Sequence, residues 1–275
     1  MHGISNTQSL NVSVKSKGVI LFAFNTSAVD YVAIADQSAR LIHSTLNLPV
    51  TLITDKQTTT RYIDQTIIVE NNINNVRKGY ANLTSWRNGN RYQAYELSPY
   101  DETLLIDSDY LMLDQSLLKL VNVTTDYQII GSNRFLKAIT PVLMSATSIP
   151  QIWATAVVFK KTLKAQLLFS LVGRIQRNYE YYRLLYNITA TNFRNDYAFA
   201  IANNIVNGYT QDNIIPWTML TVENPIDNIE RMNNSLIVRE ADRAHVIPYQ
   251  NLHIIDKDYL ASPKFELFVD HICQE

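Results

Sequence analysis

The sequence predicts an α/β fold: a mixed, mainly parallel sheet flanked by helices in a single domain. Three observations predict it. A strand, a helix and a second strand follow one another between Gly18 and Asp55. Further short apolar runs recur along the chain with helical stretches between them. The composition, 47% hydrophobic and 18% charged over 275 residues, supplies enough apolar side chain for a large core.

The elements follow in chain order. Residues 1–17 are polar, carry no apolar core of a signal peptide and read as a flexible lead. Gly18 to Phe24 (GVILFAF) has the length and continuity of a buried strand. Ser27 with Asp30 behind it reads as a helix start. Val32, Ala35, Ala39, Ile42 and Leu46 then lie on one helix face. Pro49 closes that helix, and Val50 to Thr54 is a second strand ending at Asp55. Such a βαβ unit implies parallel strands, with ligands bound beyond their carboxyl ends.

Thr66 to Val69 reads as a third strand. A helix is expected over Trp86 to Leu97, weakened by Gly89, and a strand over Thr103 to Ile106. More strands are expected at Tyr127–Ile130 and Thr155–Phe159. A long helix from about Thr162 should bury Leu163, Leu167, Leu171 and Ile175, and another helix should cover Asp196 to Asn207. His245 to Leu260 reads as strand and then irregular chain. No repeat or linker divides the sequence. We therefore expect one domain, with a nucleotide half over 18–113 and an acceptor half over 114–275.

Bulk charge excludes some functions. The net charge of -1 belongs neither to a generally basic nucleic-acid binder nor to an acidic solvating protein. The single cysteine, Cys273, cannot form an internal disulfide, so a cytoplasmic compartment is expected. The most apolar stretch, Thr140 to Phe159, is interrupted by prolines and a glutamine and is not read as a membrane span.

The chemistry is concentrated at Leu104-Leu105-Ile106-Asp107-Ser108-Asp109, where an apolar strand delivers two carboxylates at its carboxyl end. Carboxylate oxygens suit Mn²⁺ or Mg²⁺, and such a cation stabilises a departing diphosphate. Spacing alone also fits a solvated Asp pair in a turn. A phosphatase would carry its Asp-x-Asp after the first strand rather than after about a hundred residues.

These segments resemble GT-A fold glycosyltransferases, in particular the glycogenin-like family 8. The resemblance covers Gly18 to Leu113 and rests on the first strand and helix, on Leu52-Ile53-Thr54-Asp55, and on Arg91 to Asp101 leading into Asp107-Ser108-Asp109. It implies a hexosyl- or pentosyltransferase that takes its sugar from a nucleotide-sugar, UDP-linked by expectation. It also implies a Rossmann-like GT-A sheet. Phe24, Asn25, Thr26, Tyr31 and Asp55 would then form the base and ribose site, with Ser108 beside the donor. Arg91 would reach sugar or diphosphate from an exposed helix.

The second half departs more from that family. Asp196, within Asn195-Asp196-Tyr197, falls where relatives carry a residue near the reacting carbon, and reads equally as a helix N-cap. His253 to Lys257 resembles the family's C-terminal stretch, which implies His253 as the third metal ligand beside Asp107 and Asp109, and Lys257 at the diphosphate. The family's Gly and its Lys-Pro-Trp ending are missing here.

Between Lys160 and Arg194 stand seven basic residues and one acid, Glu180, interleaved with aromatics. That pattern fits an anionic acceptor such as hydroxymethylated DNA or a phosphorylated glycan or lipid, and it equally fits a solvated helix. Two other classes remain open at this point. A sugar nucleotidyltransferase would show a Gly-rich loop after the first strand, which Asn25-Thr26-Ser27 is not. A non-catalytic sugar-binding relative would have lost its carboxylates.

Overall fold

The computed structural model describes residues 16–70, 75–78, 83–86, 88–136, 143–145, 149–210 and 212–274. Residues 1–15 of the expected lead lie outside them. Residues 16 and 17 do not continue a lead. Ser16 donates from its N and Oγ to Asp101 Oδ2 (2.9 Å each), and Lys17 opens the first strand.

In chain order the elements are β1 (Lys17–Phe22), α1 (Tyr31–Leu46), β2 (Val50–Thr54), β3 (Gln65–Ile68), β4 (Asn75–Lys78) and β5 (Leu83–Trp86). A 3-10 helix (Asn88–Gln93) runs into α2 (Ala94–Leu97), then β6 (Glu102–Ile106), β7 (Tyr110–Leu111), α3 (Ser116–Lys119), β8 (Tyr127–Phe135) and β9 (Trp153–Lys160). Next come α4 (Leu163–Arg177), α5 (Tyr179–Leu185), α6 (Asn195–Val206) and β10 (Ile214–Val222). The chain ends with β11 (Asn228–Met232), β12 (Ser235–Glu240), β13 (Arg243–Pro248), β14 (Leu252–Ile254), α7 (Lys257–Leu260) and α8 (Pro263–Gln274).

Nine strands form one sheet in the order β3-β2-β1-β6-β9-β8-β10-β14-β7. Five of its eight pairings are parallel; β9 runs against both its neighbours, and β7 runs against β14. The two halves of the chain therefore share one sheet. Strand order reverses at β1, which lies between β2 and β6, and a crevice opens there beyond the carboxyl ends. This is the mixed, mainly parallel, helix-flanked arrangement of the GT-A type.

β1 is a continuous apolar run because both faces are covered. Ile20 and Phe22 join the core under α4 and α6, while Val19 and Leu21 pack under α1. Each such buried side chain contributes about 1.5–3 kcal/mol of transfer free energy. Gly18 has no room for a side chain, since a Cβ there would lie 2.3 Å from the Tyr100 ring. A third apolar cluster joins α8, β12 and β14.

Several expectations are corrected. α1 is capped by Asp30, whose side chain accepts from Ala33 N, rather than by Ser27. The expected helix over Trp86–Leu97 is a strand end, a 3-10 helix and one α turn. Asn88-Gly89-Asn90 are weak α-formers and settle into the tighter winding. In α4 the buried face is Ala165, Leu168, Phe169, Val172 and Ile175, whereas Leu163 and Leu167 are exposed. A repeat of four residues precesses about 40° per step around a helix of 3.6 residues per turn. The row from Leu163 to Ile175 thus winds from solvent into the core. His245 to Leu260, expected as strand and then irregular chain, holds the end of β13, then β14 and the short helix α7.

Candidate active site

The candidate site forms where β6 leaves the sheet. Asp107 N donates to Thr155 O (2.9 Å), and Tyr110 N to Asp107 O (3.1 Å), so the Asp-Ser-Asp turn is pinned by backbone. Ser108 is buried, and its carbonyl accepts from Ser38 Oγ. Ile254 N donates to Asp109 O (2.9 Å), and His253 pairs with Tyr110. That pairing sets His253 beside Asp109 although 144 positions of chain numbering separate them.

The side chains have unequal partners. Arg91 is fully buried, at 1% exposure. Its guanidinium contacts Asp107 Oδ1 and the Ala154 carbonyl, and Thr155 O lies 3.3 Å away. Arg91 therefore holds the first Asp against the start of β9 and is not an exposed helix residue. Lys257 Nζ donates to Asp109 Oδ2 (2.5 Å) and to the carbonyls of Ile254 (3.0 Å) and Ile255 (3.1 Å). Burial pushes the Asp107 carboxyl up; Asp109 and Asp196 push the same way, against Arg91 and His253. Burial pushes Asp109 up too, but the Lys257 charge and His253 outweigh it and hold its carboxyl far below the usual range.

Behind His253 lies a polar row across three strands. Thr221 Oγ donates to Asn133 Oδ1 (2.8 Å) and stands 3.1 Å from His253 Nδ1. A hydroxyl has one proton, so with that proton on Asn133, Thr221 accepts from Nδ1–H. His253 Nε2 faces Asp109 Oδ1, 3.5 Å away, an oxygen that is buried and makes no close hydrogen bond. Sequence reasoning missed Asn133 and Thr221. Their signal lay in polar residues inside apolar strands, an arrangement that needs a partner once buried.

Among the described residues no three carboxylate, imidazole or thiolate groups already converge as a metal cage. Arg91 holds Asp107 and Lys257 holds Asp109. The donor set nevertheless fits a divalent cation. Oxygen and imidazole nitrogen suit Mn²⁺ or Mg²⁺, and Asp109 Oδ1 and His253 Nε2 face one another at 3.5 Å.

The remaining residues are placed as follows. Asp196 lies in the first turn of α6 and is not its N-cap, which is Arg194; its Oδ1 accepts from Ala154 N (2.9 Å). Asn195 Nδ2 donates to Asn88 O (3.0 Å), tying α6 to the 3-10 helix. Asn25, Thr26 and Asp55 lie beyond β1 and β2, on the same sheet edge as Asp107. Asn25 Oδ1 accepts from Val32 N (2.9 Å), and Thr26 Oγ accepts from Val29 N (3.0 Å), so both shape the entry to α1. Tyr31 opens α1, half-buried against the core. Phe24 is 4% exposed and packs on Phe22, with centroids 6.3 Å apart. Its ring belongs to the core and is not available to a nucleobase, which corrects that expectation.

The basic segment is also corrected. Glu102 pairs with Lys160, and Ile106 with Ala156. Asp107 lies level with Thr155, so Lys160 and Lys161 stand about 17–20 Å down the sheet from it, at its opposite end. Lys160 Nζ is tied to Val123 O and Lys161 Nζ to Tyr95 O. Lys160 and Lys161 therefore do not stand beside the Asp pair.

No protein-family model and no curated protein sequence matches this chain. Similar solved structures include the galactosyltransferase LgtC in complex with donor and acceptor sugar analogues. It shares 12% identity over 94% of this chain and 95% of that one, with a TM-score of 0.47. The glycosyltransferase GlyE of Streptococcus pneumoniae TIGR4 shares 10% identity over 74% of this chain, with a TM-score of 0.41. This chain spans 45% of GlyE. The bifunctional glycosyltransferase WbbM shares 12% over 59% of this chain and 35% of that one, with a TM-score of 0.35.

Proposed function

We propose that the chain is a divalent-cation-dependent glycosyltransferase using a nucleotide-sugar, with UDP as the nucleotide. The observation that carries this reading is the buried Asp109 Oδ1, without a close hydrogen bond, facing His253 Nε2 at the carboxyl edge of a mainly parallel sheet. Asp107, Asp109 and His253 would hold Mn²⁺ or Mg²⁺, which when bound neutralises the charge gathering on a departing diphosphate.

The chain's own residues do the rest. Arg91 fixes the Asp107 carboxylate from behind. Thr221 and Asn133 orient His253. Lys257 contributes an ammonium beside the position of the diphosphate, where a charge-assisted hydrogen bond strengthens as the leaving group gains charge. Asp196, held by Ala154 N, is the carboxylate we assign to the reacting sugar. Asn25, Thr26, Tyr31, Asp55 and Ser108 rim the nucleoside side.

The test is a thermal shift with UDP, Mn²⁺ and both. A ligand that binds only the native state stabilises it by about 2.7 kcal/mol at a hundredfold excess over its Kd. UDP with Mn²⁺ should raise the melting temperature more than the two separate shifts combined, and Asp109→Asn should remove the excess. Additive shifts in the wild type, or the same synergy in the variant, reject the cation site.

A further inference from the structure

We propose that the outer face of α4 and α5 binds an anionic lipid surface. Five of the large exposed apolar side chains lie within these two neighbouring helices: Leu163 (84% exposed), Leu167 (50%), Tyr181 (64%), Leu184 (64%) and Leu185 (59%). On α4, Leu163, Leu167 and Arg174 fall within one stripe about 40° wide, with Lys164 beside it. α4 therefore has two apolar stripes, one facing the core and one facing solvent.

The charge carried by α4 itself has one sign, although the exposed Glu96 stands beside it and accepts from Gln166 Nε2 (3.2 Å). α4 contains Lys164, Arg174 and Arg177 and no acidic residue. The one acid of α5, Glu180, is neutralised by Arg183 at 2.6 Å. Among the described residues Lys164 and Arg174 make no ion pair. Exposed leucines and a tyrosine with cations at their flanks are what an interfacial helix presents to headgroups and upper acyl chains.

Other occupants fit less well. Two copies meeting face to face would set Lys164 and Arg174 of each against the cations of the other. A nucleic-acid strand would leave the protruding leucines against a hydrated ionic backbone. No helix among the described residues is long and apolar enough to cross a membrane. The contact is thus a surface one, and it does not depend on the proposed transfer chemistry.

The test is flotation of the full chain with vesicles of phosphatidylcholine, with and without phosphatidylglycerol, at low and high salt. The wild type should float with the phosphatidylglycerol vesicles alone and be released by salt. Lys164→Gln with Arg174→Gln should lower partitioning roughly 30-fold, from about 1 kcal/mol per basic residue near an anionic surface. Leu163→Ser with Leu167→Ser should also abolish flotation, while the circular dichroism melt stays that of the wild type, because both side chains already face solvent. No flotation, equal flotation with neutral vesicles, or wild-type binding by either double variant overturns the proposal. So does a wild-type dimer in light scattering that the leucine variant dissolves, which would make this face a self-interface.

Discussion

Replacing Arg91 by Ala should destabilise the protein well before any question of turnover arises. The side chain is 1% exposed, and its removal strands the Asp107 carboxylate together with the Ala154 carbonyl, while Thr155 O keeps Asp107 N. Breaking a buried ion pair by deleting one partner costs about 3–5 kcal/mol. Asp107 keeps 28% side-chain exposure, so water reaches it and the low end, about 3 kcal/mol, applies. For a chain of this size that corresponds to a fall in melting temperature of roughly 6–10 °C.

The loss should depend on pH. The Asp107 carboxyl is already raised, first by burial, and losing Arg91 raises it further. A raised folded-state value leaves its contribution intact below the unfolded value, about 3.9, and removes it as pH rises. The deficit of Arg91→Ala should therefore be larger at pH 7 than at pH 4. Arg91→Ala with Asp107→Asn should recover part of the loss, since no uncompensated charge then remains. Scanning fluorimetry of the three proteins at both pH values measures all of this. If Arg91→Ala melts within a degree or two of wild type at pH 7, the guanidinium is not a buried tie and the reasoning fails.

Two further outcomes are expected. Thr221→Val, which removes the hydroxyl between Asn133 and His253, should weaken Mn²⁺ binding about 10–100-fold by calorimetry, while Thr221→Ser restores it; equal affinity in all three would leave His253 oriented by something else. Leu168→Ala should cost about 2–5 kcal/mol in urea unfolding, whereas Leu163→Ala should change stability by under about 0.5 kcal/mol; reversed costs would mean that α4 buries its other face.

The parallel strands β1, β2 and β6 were legible because strands buried on both faces are written as unbroken apolar runs. β1, β2 and β6 announce themselves in this way, and α1 separates them with a clean apolar stripe. The carboxylates at the end of β6 were legible for the same reason. The face of α4 was not, because eight of its fifteen residues are Leu, Ile, Val, Phe or Ala on several sides, and only packing against α6 selects the buried row. Phe24 was misassigned because strand exit and core edge carry the same residue type. α8 did carry a signal, with Pro263 in its first turn and Phe265, Phe268, Val269 and Ile272 on one face. The Asn133–Thr221–His253 row was hidden because it joins three strands that are neighbours only after folding.

β14 has three residues, lies between β10 and β7, and delivers His253 to Asp109. Lys257 follows directly and reaches Asp109 across 148 positions of sequence. Closing so long a loop is entropically costly before its contacts form. Half of the charged centre is thus carried by the last tenth of the chain. A nascent or locally opened molecule in which this tail has not docked can keep β1, β2, β6 and the Asp pair intact and still lack the imidazole and the ammonium. Docking of β14 is thus a separate step in assembling this centre: on the proposed cation reading, a cation titrated into partly denatured protein should stop binding when β14 detaches, ahead of the loss of the bulk sheet signal.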